Sequence, residues 1–399
     1  MSRGDAKGGV LRRRMGAGAL VLAAAGYVVV AIGSGLDRIS LDSPEIAGNV
    51  PLAWANRALP ALWQQALARR DGAAMDRIAR LAVDRAPLQA SSTAMYGATL
   101  QYLQRADAAD AAFRVAARMG WRVPVTQIYW LQQGLLSGDY PTAARRLDAL
   151  MRLDVPTPGL PAILEGFESN PLAAAALIDQ MADRPPWLDG YIAEIGELSG
   201  ERLTRRLDMI GLMVQAGIPT QCAKAGTTAE RLVARGHVGE ARQFWALMCG
   251  GSPDSLVADG NLAQLRLNDA GGPFRWTYLT NGDVTADLVP DGSRGGQWLV
   301  AHNDSSVGIA LIRQRIVAPA GRYRLEWSSP GDATGPAFFP ATGCAADDAT
   351  PLHDVRRQGG EAWQASFTVD RNCDGTWLQF WLAGGGQGRL GRVAVTAAP

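Results

Sequence analysis

One uninterrupted run of uncharged residues, 15–36 (MGAGALVLAAAGYVVVAIGSGL), constrains this chain more than any other feature. As a helix it would be about 33 Å long, and the hydrocarbon core of a bilayer is roughly 30 Å thick. The preceding residues hold Arg3, Lys7, Arg12, Arg13 and Arg14 against a single acid, Asp5. Basic residues before a span and few after it place the N-terminal tail, 1–14, in the cytoplasm and the rest across the membrane. The alternative is a cleaved signal peptide, whose apolar region is usually about 7–15 residues long and ends at a small-residue cleavage site. This run is longer, and it exits through Ile32-Gly33-Ser34-Gly35-Leu36 without an A-x-A pattern. The expectation is a single-pass inner-membrane protein, with 15–36 as its anchor and its bulk in the periplasm.

That topology decides how the cysteines are read. Cys222, Cys249, Cys344 and Cys373 all follow the span. An even count in an oxidising compartment favours disulfides, and no C-x-x-C pair suggests zinc or thioredoxin chemistry. Cys222 opens one helical pattern and Cys249 closes the next, so an antiparallel hairpin brings them level. Cys344 and Cys373 bracket a strand pattern at 362–369. The expected pairs are therefore Cys222 with Cys249 and Cys344 with Cys373. With 39 basic and 38 acidic side chains in 399 residues, net charge offers no reason to bind nucleic acid.

Residues 37–50 read as a short polar tether. From 51 to 250, Ala, Leu, Met and Arg recur at spacings of three and four, as on amphipathic helices. Breaks such as Asp71-Gly72, Gly120, Gly138-Asp139, Asn170-Pro171 and Gly236 fall every dozen or so residues, a pace that predicts antiparallel helical hairpins. The hairpins repeat: Gly72-Ala73-Ala74-Met75-Asp76-Arg77-Ile78, Asp107-Ala108-Ala109-Asp110-Ala111-Ala112-Phe113 and Asp139-Tyr140-Pro141-Thr142-Ala143-Ala144-Arg145 are alike, and the segment from Gly236 to Phe244 has the same form. Each follows a helix that pairs a large aromatic with a small residue four positions on, as in Trp130 and Gly134. Residues 51–250 thus resemble the tetratricopeptide repeat, with its period of about 34 residues. That resemblance implies an α-solenoid with a surface for a protein partner.

After a linker at 251–272, the pattern from 273 to 399 has period two. The predicted strands are 274–279, 284–289, 297–302, 307–317, 322–328, 362–369, 376–383 and 390–396, separated by Gly, Pro, Asn and Asp. Eight short strands favour an antiparallel β-sandwich or jelly roll. The run from Leu311 to Leu325 carries a Gln-bearing strand, a Pro-Gly turn and a Tyr-x-Leu strand, and so resembles carbohydrate-binding jelly rolls. The fold class is therefore multidomain α plus β: one transmembrane helix, helical hairpins and a C-terminal jelly roll.

No residue is assigned a catalytic role. Gly386-Gln387-Gly388-Arg389-Leu390-Gly391 matches a dinucleotide motif, but a β pattern follows where a helix is required. His237, His302 and His353 lie far apart. The acidic pairs Glu165/Glu168, Asp179/Asp183 and Glu194/Glu197 meet a glycosidase spacing trivially on helices, and are read as solvated faces. Asp370-Arg371-Asn372-Cys373-Asp374-Gly375 matches the first half of a calcium loop but has Trp381 where the twelfth-position Glu belongs, so neither metal nor cofactor is expected. On a strand over 376–383, Leu378, Phe380 and Leu382 share one face, which should be core. Trp377, Gln379 and Trp381 share the other, as a candidate sugar-stacking platform unless a loop covers it. The leading expectation is a non-enzymatic scaffold that holds an envelope or exopolysaccharide-assembly partner through its helices. The alternative is a glycan-binding protein acting through the jelly roll; third comes a glycan-active enzyme with unidentified carboxylates.

Overall fold

The computed structural model describes residues 5–157, 159–250, 255–268, 272–279, 282–292, 295–330, 335–371, 373 and 375–398, with side chains from residue 22 onward. The chain divides into two compact units, residues 1–157 and 158–399.

The first unit is helical. Helix α1 (Asp5–Ile39) is continuous through the apolar run, and its window Leu22–Ile39 is long and apolar enough to cross a membrane. Residues 37–50, expected as a short polar tether, pack in part against the helices that follow. Asp37 and Ser40 are buried, Pro44–Asn49 forms a 3-10 turn, and Ala47 and Val50 enter the core of the helices that follow. Those are α2 (Leu59–Ala68), α3 (Gly72–Arg85), α4 (Ala90–Tyr102), α5 (Ala106–Met119), α6 (Pro124–Ser137) and α7 (Tyr140–Arg152). Local chemistry sets their ends. Asp71 and Asp139 cap α3 and α7 by accepting the N–H of Ala74 and Thr142, which satisfies amides that have no partner within the helix. Gly138 ends α6 at φ 73°, a left-handed conformation that glycine adopts without strain. Helices α3, α5 and α7 begin at Gly72, Ala106 and Tyr140, intervals of 34 residues. The small-residue contact expected at Gly134 is present: a Cβ there would come within 2.9 Å of the Ala143 backbone.

The second unit holds α8 (Leu160–Ser169), α9 (Pro171–Met181), α10 (Leu188–Ala193), α11 (Gly200–Gln215), α12 (Cys222–Ala234) and α13 (Val238–Cys249), followed by the sandwich. The even spacing of the first unit is not kept, since α10 has six residues and runs into a 3-10 turn at Glu194–Glu197. The first expected disulfide joins α12 to α13: Cys222 and Cys249 are bonded with Cα atoms 4.5 Å apart.

The sandwich strands are β1 (Thr277–Tyr278), β2 (Val284–Asp291), β3 (Gly296–Asn303), β4 (Ile309–Ile316), β5 (Gly321–Ser328), β6 (Phe338–Gly343), β7 (Thr350–Pro351), β8 (Arg356–Gly359), β9 (Ala362–Val369), β10 (Thr376–Leu382) and β11 (Gln387–Ala397). One sheet runs β1-β4-β10-β6-β7 and the other β2-β3-β11-β5-β9-β8, all paired antiparallel. All eight expected strands are present. Strands β6, β7 and β8 escaped the period-two pattern: Pro340 sits inside β6, β7 has two residues, and β8 is exposed along its whole length.

Alternation builds the core. Tyr323, Leu325 and Trp327 of β5 point in, while Arg322, Arg324 and Glu326 point out. The expected linker also belongs to this core. Val257, Leu262 and Leu265 are buried in it, the Gln314 amide bonds both backbone groups of Ala258 at 3.0 and 2.8 Å, and the Val393 N–H donates to the Gly260 carbonyl at 2.7 Å. Burial there pushes the Asp259 carboxyl above the ordinary aspartate range, against the backbone N–H groups of Gln264 and its neighbours. The second expected disulfide, Cys344 to Cys373, ties the loop after β6 to the loop before β10. Asn372 and Asp374 of the calcium-like loop lie outside the described residues.

Candidate functional site

The outward face of β10 was the expected binding surface. Its alternation is as expected: Leu378, Phe380 and Leu382 are wholly buried in the core, and Trp377 and Trp381 are half-buried on the other face. The middle of that platform is closed. Gln379 is 2% exposed; its amide donates to the Ala346 carbonyl and accepts the Trp381 indole N–H at 3.0 Å. The loop following Cys344 therefore takes up the amide that was expected to face a sugar. The guanidinium groups of Arg313 and Arg315, both on β4, each lie 5.0 Å from the centre of the Trp377 ring, and Trp381 stacks on Phe339.

An open cleft lies on the outward face of the opposite sheet. Three neighbouring strands present side chains in register across it. In one row Thr285 of β2 lies beside His302 of β3, which lies beside Gln387 of β11; in the next, Asp287, Val300 and Arg389 stand side by side. Rows two residues apart are separated by about 6.6 Å and strands by about 4.8 Å, so these side chains share one small area. With Pro330 they line a cleft of about 690 Å³. A second cleft of about 570 Å³ adjoins it through Arg389 and is lined by Asp291, Trp298, Glu361 and Arg392.

Charge pairing organises this floor. Arg389 donates to both oxygens of Glu361, at 2.8 and 3.0 Å, and Arg392 donates to Asp291 at 3.0 Å. Both guanidinium groups lie over the Trp298 ring, at 4.6 and 5.5 Å. Such pairs hold flat donor groups at fixed heights, though at this exposure they add little stability. Gly391 makes room for the arrangement, since a Cβ there would press on Trp298 at 3.0 Å. His302 Nε2 is 2.9 Å from Asp304. Asn303, fully buried, donates to the carbonyls of Val307, Leu382 and Ala383 and so pins the turn from which β11 starts.

Sequence reasoning missed this site although its parts were visible. Gln387 and Arg389 are two of the three variable positions of the G-x-G-x-x-G run, which from Gln387 onward forms the first half of β11 and no phosphate loop. Their alternation with Gly388 was the available signal. The acidic pairs on the helices serve other ends. Glu165 and Glu168 meet Arg205 and Arg206, and Glu194 and Glu197 are also held by arginines. Glu168 is buried, contrary to the solvated face expected of it. His237 precedes α13 at its N-cap position, and His353 is exposed. Among the described residues no group of three or more His, Cys, Asp or Glu side chains is placed to hold a metal.

No protein-family model matches the chain, and no curated protein matches it. Solved structures similar to part of it include the enzymatically active domain of tailspike protein 4 of bacteriophage CBA120, at 12% identity and TM-score 0.26, over 37% of this chain and 22% of that one. A second is the CBM22-1–GH10 portion of xylanase 10B of Clostridium thermocellum complexed with xylohexaose, at 13% identity and TM-score 0.25, over 37% of this chain and 28% of that one. A third is TmCBM61 in complex with β-1,4-galactotriose, at 12% identity and TM-score 0.25, over 36% of this chain and 99% of that one. The chain thus spans under a third of the length of the first two.

Proposed function

We propose that this is a non-enzymatic, membrane-anchored glycan-binding protein, with α1 retained in the inner membrane, its N-terminus in the cytoplasm and the sandwich in the periplasm. The observation that carries the reading is the pair of adjoining clefts across the six-stranded sheet. Saccharides offer vicinal hydroxyls, and flat two-pronged groups such as Asp287, Gln387 and Arg389 match them. Two clefts in line suit an extended chain better than a single small molecule. Two disulfides accord with an oxidising compartment.

The test uses the full-length protein in nanodiscs against immobilised envelope and plant polysaccharides. Asp287→Ala and Gln387→Ala should each weaken binding about tenfold, the loss of one or two hydrogen bonds, with melting nearly unchanged. Trp377→Ala with Trp381→Ala should lower melting and leave binding intact. Absence of binding, or binding lost only in the double Trp variant, would overturn the assignment of the site.

A different observation favours the adaptor reading. The helices of the second unit enclose a cavity of about 300 Å³ lined by Ile192, Pro219, Ala225 and Met248, with Arg184, Asp189 and Lys224 at its edge. The 34-residue intervals of α3, α5 and α7 support the tetratricopeptide comparison behind the same reading. A photo-crosslinker at Lys224 that traps one protein reproducibly, and ceases to when Met248 is enlarged to Trp, would establish it.

A further inference from the structure

We propose that the turn at residues 51–58 is a membrane-interface surface, with Leu52 and Trp54 seated in the headgroup layer beside α1. The proposal rests on α1 being a retained anchor. The last turns of α1 carry one inward face: Gly33, Asp37 and Ser40 are buried, at positions i, i+4 and i+7. The Trp54 ring lies flush on Gly33, where any Cβ would collide with it. The Asp37 carboxylate accepts the N–H groups of Asn56, Arg57 and Ala58 at 2.8, 2.9 and 2.9 Å. These precede α2, whose flanking residue Ala58 provides no side-chain cap. From the other side Arg85 donates to the carbonyls of Leu52, at 2.6 Å, Ala53 and Ala55. The turn is therefore gripped at its N–H groups by the anchor helix and at its carbonyls by α3.

Depth follows from the sequence. The uncharged run ends at Leu36 and is about 33 Å long, little more than the roughly 30 Å of hydrocarbon. Gly33 lies three residues inside that end, about 4.5 Å along the axis. A ring packed there sits where hydrocarbon meets headgroups, the level at which tryptophan is enriched in membrane proteins. Leu52 and Trp54 remain 42% and 37% exposed although the turn is held rigidly, and Ile39 and Leu41, just beyond the run, are exposed as well. What sets this pair apart from other exposed apolar side chains is that the turn is packed on the anchor helix itself, so a bilayer around the anchor covers both. The surface would fix the angle at which the first unit leaves the membrane.

The experiment uses full-length protein in nanodiscs of phosphatidylethanolamine and phosphatidylglycerol, with bromine carried either near the headgroups or near the bilayer centre. Intact mass is measured first. Loss of the residues before Gly33 would refute retention of the anchor, and the surface with it. With the anchor retained, the emission difference between wild type and Trp54→Phe isolates Trp54, and the Phe ring preserves the packing on Gly33. Shallow bromines should quench that difference by about half or more, and central bromines should affect it less, as for a residue in the interfacial belt. Asp37→Ala, which releases the turn, should reduce the shallow quenching. A Trp54 contribution insensitive to both bromine positions in anchored protein would overturn the surface while leaving the anchor standing.

Discussion

Arg206 and Glu168 meet at 2.6 Å within the helices of the second unit, each with only 3% of its side chain exposed. The guanidinium also donates to the Tyr191 carbonyl at 2.8 Å and lies 3.8 Å from the Tyr191 ring, whose hydroxyl donates to the same Glu168 at 2.8 Å. Removing Glu168 leaves the buried guanidinium with only Glu194, at 3.1 Å and 40% exposed, to offset it, and breaking such a pair costs up to about 3–5 kcal/mol. Glu168→Leu should therefore show a large drop in denaturant midpoint. Glu168→Leu combined with Arg206→Met should recover much of it, because both charges then leave the interior. Equal losses in the single and double variants would show that the network is held by packing and not by charge.

The same cluster sets an alkaline limit. Burial pushes the Tyr191 phenol well above the ordinary tyrosine range, against the nearby Arg206 charge and with help from Glu168. Tyr129 is raised for the same first reason, with Asp110 adding to it. A raised folded value means that the neutral phenol is the form the fold favours. The associated stability is complete below the unfolded value of about 10 and is lost as the pH climbs past it. Thermal melting followed from pH 8 to 11 should hold steady and then fall above about pH 10. Tyr191→Phe should fall less steeply, and an identical profile for that variant would exclude Tyr191 as the cause.

Reduction should act on the second unit at two places. Each disulfide closes a loop, with sequence separations of 27 and 29 residues, and such closure is worth about 3 kcal/mol through the unfolded chain. Cys222→Ala with Cys249→Ala should destabilise by about that much. Cys344→Ala with Cys373→Ala should additionally free the loop over Gln379, read as faster hydrogen exchange at residues 344–348. Four alkylatable thiols in protein isolated without reductant would contradict both bridges.

Gly134 tests the helix contact in the first unit. A Cβ there meets the Ala143 backbone at 2.9 Å and the Asp139 carbonyl at 3.0 Å, groups that cannot swing aside. Gly134→Val should cost about 1–3 kcal/mol by overpacking, beyond any effect on helix propensity. An unchanged denaturant midpoint would mean that α6 and α7 shift freely against each other.

Much of the architecture was legible because it depends on neighbours in sequence. Helix starts at Gly72, Tyr140 and Cys222, the alternation of Tyr323, Leu325 and Trp327, and the inward set Leu378, Phe380 and Leu382 all follow from periods of 3.6 and two. Turn residues and an uncharged run long enough for a bilayer are equally local. Pairing of the cysteines was readable once hairpins were assumed.

What tertiary structure alone decided are the places where distant chain segments compete for the same groups. Gln379 looked available to a sugar because nothing within its own strand uses the amide; Ala346, 33 residues away in sequence, takes it. Asp37 looked like the first charge of a short polar tether, but the N–H groups of residues 56–58 reach it. The stretch at 255–268 has no periodicity, yet Leu262 and Leu265 fill the sandwich core. Gln387 and Arg389 became site residues only when β11 lay down beside β3 in that register. Alternation tells which side chains share a face, but a face becomes core, cleft or covered surface through what packs on it, and that is set by long-range contacts that leave no period in the sequence.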